Sequence, residues 1–291
     1  MNRMFIIVYA LLCFPSPNIE GAEAAAVHAF SIPRTQVIDI EDTHSHRNYQ
    51  LYIKIPSGYD NTENSGKLFP VVYLTDASYI FPVVEGLTRV AMHNGVMLNA
   101  IIVGISCEVG VNPLDSLVRD YTPTINKEFK RKTGEANVHL RFIKEDVFSY
   151  VERRFRADPH NRTYIGYSLG GLLGAYALLT QPEMFNNYVL VSPSLWYDKK
   201  YIFQLESSGK YIKPKSKTRV FISAGEFETP EYVNIQDNLV ADAREFTRRV
   251  QHWNNDNVQI RLHIVKGAVH EIAFPEPIVK ALYWLLHPSN L

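Results

Sequence analysis

The chain has 291 residues, 46% of them hydrophobic, with 30 Lys and Arg against 30 Asp and Glu. That length and apolar fraction suit one large domain with a full core. A net charge of zero argues against nucleic acid as a partner and against a polybasic membrane anchor.

The first stretch reads as a targeting segment. Arg3 supplies a positive start, Met4 to Phe14 an apolar run, and Ala22-Glu23-Ala24 a small-residue cleavage site. The apolar run is too short to span a bilayer. Cys13 follows Ala10-Leu11-Leu12, and the bulky Leu12 argues against lipidation. The expectation is a signal peptide over residues 1–24 and a single exported domain over residues 25–291, periplasmic or secreted, with no stable membrane insertion. Only Cys107 then remains, so no intrachain disulfide can form.

Phe30 to Ile40 is strand-like, and Tyr49, Leu51, Ile53 and Ile55 alternate with Gln50, Tyr52 and Lys54 as a strand ending at Pro56. Leu68 to Leu74 is a continuous apolar run, as expected of a strand buried on both faces. Asp76-Ala77-Ser78 closes it, and a helical stretch runs to about His93. Met97 to Ile105 reads as a second buried strand. Cys107 to Lys132 shows little periodicity and is expected to be a long loop or lid. Phe142, Val147, Val151 and Phe155 space as one face of a helix.

Tyr164-Ile165 then leads into Gly166-Tyr167-Ser168-Leu169-Gly170, and a helix-like run follows from Leu172 to Leu179. Tyr188 to Val191 is a strand, and Ser192-Pro193-Ser194-Leu195-Trp196 leads into a helical or lid segment. Thr218 to Ser223 is a strand. Leu239, Ala243, Phe246 and Val250 mark a helix face. Val258, Ile260, Leu262 and Ile264 alternate as a last strand, and Ile278 to Leu286 is a terminal helix. Strands alternating with helices predict an α/β fold with a mostly parallel central sheet and helices on both faces. Ligands of such sheets bind beyond the carboxyl ends of the strands.

Gly-x-Ser-x-Gly between a strand and a helix is the nucleophile-elbow pattern. The turn is so sharp that side chains at 166 and 170 would clash, and glycine removes them. It presents the Ser168 hydroxyl and aims the Leu169 N–H where an oxyanion can be held. A serine hydroxyl needs a neighbouring base. His270 stands after the last strand, downstream of Ser168, in the order serine, acid, histidine that the elbow pattern requires. His44 and His46 lack the cluster a metal would need, so no metal and no cofactor is expected. His160 falls in a loop and His263 on the opposite strand face from Leu262.

The orienting acid should follow the strand at 218–223, where Glu226 and Glu228 both stand. Glu228 is preferred, with a Ser168–His270 dyad as the alternative. The second oxyanion donor should come from Ala77 or Ser78, after the Leu68–Leu74 strand. Arg119 is a candidate contact for an anionic substrate, or else an ion-pair partner of Asp120 or Asp115. Trp196 and Tyr197 either wall the pocket or pack the sheet.

With these residues placed, the chain resembles the Putative esterase family (esterase D type) of the α/β-hydrolase fold over roughly residues 35 to 288. Ile55-Pro56-Ser57-Gly58-Tyr59, Arg119-Asp120-Tyr121-Thr122-Pro123, Gly225-Glu226-Phe227-Glu228 and the segments at 70–76, 166–171 and 192–197 carry the resemblance. The Arg119 and Ser192 segments resemble the exported siderophore-esterase branch most. The family's acid stands three residues after the glycine, which supports Glu228. One departure is Ala77, where a glycine usually follows the aspartate. The resemblance implies a serine esterase that forms an acyl-enzyme on a small-molecule ester, such as a siderophore trilactone. Alternatives are a feruloyl or acetyl carbohydrate esterase, an acyltransferase of the same fold, and an inactive hydrolase-fold binding protein. A catecholate pocket predicts cations near Ser168; a sugar pocket predicts exposed aromatics.

Overall fold

In a computed structural model of the chain, residues 30–232 and 237–290 are described. The expected signal peptide lies outside them. A compact unit begins at Arg34.

Strands β1 (Thr35–Glu41) and β2 (Asn48–Lys54) form an antiparallel pair, and β2 runs antiparallel to β4 (Ile101–Ile105). The remaining neighbours are parallel: β4, β3 (Phe69–Leu74), β5 (Ala157–Tyr167), β6 (Asn187–Val191), β7 (Thr218–Gly225) and β8 (Val258–Val265). The order across the sheet is β1-β2-β4-β3-β5-β6-β7-β8. All six residues of β3 and all five of β4 and β6 are buried, as their uninterrupted apolar sequences require. Pro70 lies in a central strand, where its missing N–H would break the ladder. The pairing of β3 with β5 shifts register between Phe69 and Val71, at that proline.

Helices cover both faces. One layer of core packs β3, β4 and β6 residues such as Val72, Ile102 and Val189 against α1 (Ala77–His93) and α8 (Pro275–Leu285). The other packs Tyr73, Tyr164 and Tyr188 among residues of four further segments. These are the helix α3 (Ala136–Phe142), continued through a π turn into α4 (Phe148–Arg154), the elbow helix α5 (Leu169–Thr180), and α7 (Leu239–Gln251). On α7 the expected face is the buried one: Leu239, Ala243, Phe246 and Val250 all point inward.

The stretch from Cys107 to Lys132 departs from the expected loop. It contains helix α2 (Pro113–Tyr121), which lies between β4 and α3. Asn112 caps it, accepting from the Leu114 N–H at 2.9 Å, and Pro113 occupies the first turn. The helix is pinned by charge more than by apolar surface. Asp120, 1% exposed, accepts from Arg119 Nε at 2.7 Å, Ser116 Oγ at 2.9 Å and Tyr49 Oη at 3.1 Å. Beyond α2, Phe129 packs against Trp196 and Tyr197 at the start of α6 (Tyr197–Ser207). Tyr197 Oη donates to the Thr124 carbonyl at 2.8 Å, and Thr124 Oγ1 donates to Asp198 at 2.5 Å.

Candidate active site

The carboxyl ends of β3, β5, β7 and β8 converge on one point. Ser168 follows β5 and precedes α5, with φ 55° and ψ −115°. A non-glycine residue takes such a conformation only when its surroundings enforce it. Here the enforcement is visible: Ser168 N–H donates to the Val191 carbonyl at 3.0 Å, and the Ser168 carbonyl accepts from Ser194 N–H at 3.0 Å. A Cβ on Gly166 would stand 2.2 Å from the Gly170 carbonyl oxygen, and one on Gly170 would stand 2.5 Å from Thr75 Oγ1. Both glycines are therefore steric requirements of the turn.

His270 Nε2 lies 3.1 Å from Ser168 Oγ, and His270 Nδ1 lies 2.7 Å from Glu228 Oε1. The other oxygen of Glu228 accepts from the Gly225 N–H at 3.0 Å. Glu228 is 1% exposed, so its carboxylate has one fixed orientation, toward the imidazole. Glu226 points elsewhere: it accepts from the Gly267 N–H at 2.8 Å, in an exposed bond that ties the turn after β7 to the turn after β8. The structure thus brings Ser168, His270 and Glu228 together and leaves Glu226 aside.

Ser78 and Leu169 both line the cleft at Ser168. Each stands in the first turn of a helix, α1 and α5, where N–H groups have no intrahelical acceptor. Ala77 is fully buried, and its Cβ faces Gly104 on β4. The departure from glycine at 77 costs nothing, because Asp76 and not Ala77 carries the positive φ, 53°. The Asp76 carboxyl lines the same cleft, and burial pushes it up to about 7.

Two clefts open onto Ser168. One, about 430 Å³, is lined by Tyr79, Leu114 and Leu117 among others; the second, about 270 Å³, is lined by Ser194, Trp196 and Leu239. Trp196 walls the site, while Tyr197 is fully buried in the core. Arg119 lines neither cleft. Its guanidinium binds Asp120 through Nε at 2.7 Å and Nη2 at 2.8 Å, and Glu108 through Nη1 at 2.7 Å. Of the two readings of Arg119, the geometry shows the ion pair with Asp120, while Asp115 is instead paired to Arg131 at 2.7 Å. His44 and His46 pair with Glu145 and Glu41, and among the described residues no cluster could hold a metal ion.

Two contacts were not read from the sequence. Ser194 Oγ sits 3.3 Å from Ser168 Oγ. Tyr167 stacks on the His270 ring at 4.8 Å and donates its hydroxyl to the His270 carbonyl at 2.5 Å. Both residues lie in segments the sequence singled out, but nothing local says that they reach across the site.

A serine on a strand–helix elbow, with carboxylate and histidine after later strands of such a sheet, defines an α/β-hydrolase. The chain belongs to the family described as "Putative esterase", which matches residues 43–285; it is a carboxylic ester hydrolase. It is similar to the ferri-bacillibactin esterase BesA of Bacillus subtilis, 29% identical over 90% of this chain and 93% of that one. It is also similar to the siderophore triacetylfusarinine C esterase of Aspergillus fumigatus, 28% identical over 57% of this chain and 58% of that one. Among solved structures, the BES protein from Bacillus cereus shares the fold with TM-score 0.79 at 23% identity, covering 91% of this chain and 100% of that chain.

Proposed function

We propose that the protein is an exported serine esterase that hydrolyses siderophore esters through an acyl-enzyme. The observation that carries the chemistry is the continuous path from Glu228 through His270 to Ser168, with spacings of 2.7 Å and 3.1 Å. His270 takes the Ser168 proton as Oγ attacks the ester carbonyl. The N–H groups of Leu169 and Ser78 hold the oxyanion of the tetrahedral intermediate. The alcohol leaves with the proton from His270. Water, deprotonated by His270, then attacks the acyl-enzyme, and Ser168 departs with that proton. Glu228 keeps the imidazole in the tautomer with Nδ1 protonated and stabilises the imidazolium.

The siderophore assignment is supported by the names of the relatives. Export is supported by Arg3, the apolar run and Ala22-Glu23-Ala24. A second reading, an esterase for aromatic esters on carbohydrate, draws on the aromatic lining by Trp196 and by Tyr79, which is 55% exposed. The test is a panel of p-nitrophenyl esters, a triscatecholate trilactone and a feruloyl sugar ester, with Ser168→Ala beside the wild type. The siderophore reading expects the trilactone to have the highest kcat/KM and the variant to be inactive. A feruloyl ester cleaved far faster than the trilactone would select the second reading.

A further inference from the structure

The walls of the two clefts at Ser168 share an electrostatic feature. Asp76 lines the larger one; Asp237 and Glu271 line the smaller. Among the described residues, no Lys or Arg lines either. Neighbouring cations have other partners: Arg119 is held by Asp120 and Glu108, and Lys200 binds Asp242 at 2.6 Å. Glu228 is already bound to His270, so its charge is balanced once the imidazole is protonated. Burial raises the Asp76 carboxyl to about 7, so it is only partly ionised at neutral pH, whereas Asp237 and Glu271 have no cation in the wall to offset them. Beside Ser168, Ser78, Ser194 and Cys107, the rest of the lining is aromatic or aliphatic and includes Trp196, Tyr79, Leu114, Leu117 and Leu239.

We propose that this cleft selects its ester by charge, accepting esters of no net negative charge and repelling anionic ones through Asp237 and Glu271. For its substrate class, the inference rests on the siderophore-esterase reading. Iron-free catechols keep their hydroxyl protons at neutral pH, so a metal-free triscatecholate trilactone is uncharged. Its ferric complex loses six protons against a trivalent iron and carries three negative charges. A ferric trihydroxamate loses three protons and is neutral. The cleft is therefore matched to the metal-free catechol trilactone, or to a ferric hydroxamate ester, and mismatched to the ferric triscatecholate.

The test compares kcat/KM for five probes: the metal-free triscatecholate trilactone, its ferric complex, a ferric trihydroxamate triester, p-nitrophenyl butyrate and p-nitrophenyl hemisuccinate. Each is measured in low salt and at about 1 M salt, where the screening length falls to about 3 Å. Wild type, Glu271→Gln and Glu271→Lys are compared. Glu271 is exposed, so both variants should fold, and a thermal melt of each checks this.

The expected result is a penalty of about tenfold or more for the ferric triscatecholate at low salt, of the size that a few unscreened charges impose. A smaller penalty is expected for the hemisuccinate against the butyrate. Both should shrink in high salt and fall stepwise from wild type through Gln to Lys. The proposal is overturned if the ferric triscatecholate is cleaved as fast as the metal-free ester. It is equally overturned if the ferric trihydroxamate shares the penalty and salt leaves it unchanged, which would mean exclusion by size. If no siderophore ester reacts while the butyrate does, the siderophore reading fails. The butyrate and hemisuccinate pair then decides the charge rule on its own.

Discussion

Tyr167 lies flat on the imidazole of His270, with ring centroids 4.8 Å apart and planes 24° from parallel, and its hydroxyl donates to the His270 carbonyl. The residue directly before Ser168 therefore holds the residue that faces it. Tyr167→Phe keeps the stack and loses the bond; at about 1 kcal/mol for one hydrogen bond, kcat should fall about fivefold. Tyr167→Ala removes the stack as well, and kcat should fall about thirtyfold. In both variants KM should stay within about twofold. Steady-state kinetics on p-nitrophenyl butyrate separates the two parameters, and a loss confined to KM would remove Tyr167 from the positioning of His270.

Glu228 is buried and divides its oxygens between His270 Nδ1 and Gly225 N–H. Glu228→Gln keeps the shape but offers an amide that favours the wrong imidazole tautomer. By analogy with acid-to-amide changes in serine hydrolases, kcat should fall by about 10³ to 10⁴. Glu226→Gln should leave kcat within about twofold. No loss in either variant would mean that the site works as a dyad, and a loss confined to Glu226→Gln would make Glu226 the orienting acid.

Arg119→Ala should act on the fold. It removes the guanidinium that serves Asp120 and Glu108, leaving a buried carboxylate short of a partner, at a cost of about 3 kcal/mol. A lowered urea midpoint with KM for neutral esters unchanged is the expected pattern. A large rise in KM with full stability would restore Arg119 as a substrate contact.

Asp76 gives stability an unusual pH dependence. Its carboxyl is raised from an ordinary 3.8 to about 7 in the folded chain. Between those values the unfolded chain has released a proton that the folded chain retains, so this group lowers stability as pH rises from about 4 to about 7. Asp76→Asn removes that dependence. Its Tm advantage over wild type should be small at pH 4, grow through neutrality and then level off. A Tm difference that is flat across this range would contradict the raised value.

Much of this site was legible because its signals are local. The elbow announces itself in five residues, and the ends of apolar strands place His270, Glu228 and Asp76 near it without any knowledge of contacts. The part that was not legible depends on residues distant in sequence. Helix α2 read as a loop although Leu114, Leu117, Val118 and Tyr121 fall at helical spacing, because it is only about two turns long and polar residues flank it. Its anchor is the network that joins Asp120 to Tyr49 and Arg47 on the chain before β3. Asn112-Pro113 was the available signal, a cap followed by a first-turn proline. Arg119 was ambiguous for the same reason, since its partner Glu108 lies outside the helix that carries it. Ala77 drew attention as a departure, yet the strained residue is its neighbour Asp76, which only the backbone reveals.

The central claim is that Ser168 is the nucleophile, and covalent labelling tests it most directly. The purified protein would be incubated with a fluorophosphonate ester and the modified peptide mapped by mass spectrometry. The account predicts one label per chain, on Ser168, absent from Ser168→Ala and much slower in His270→Ala, with ester hydrolysis lost in step. A label on another residue, or a Ser168→Ala protein that still hydrolyses its esters at the wild-type rate, would contradict it.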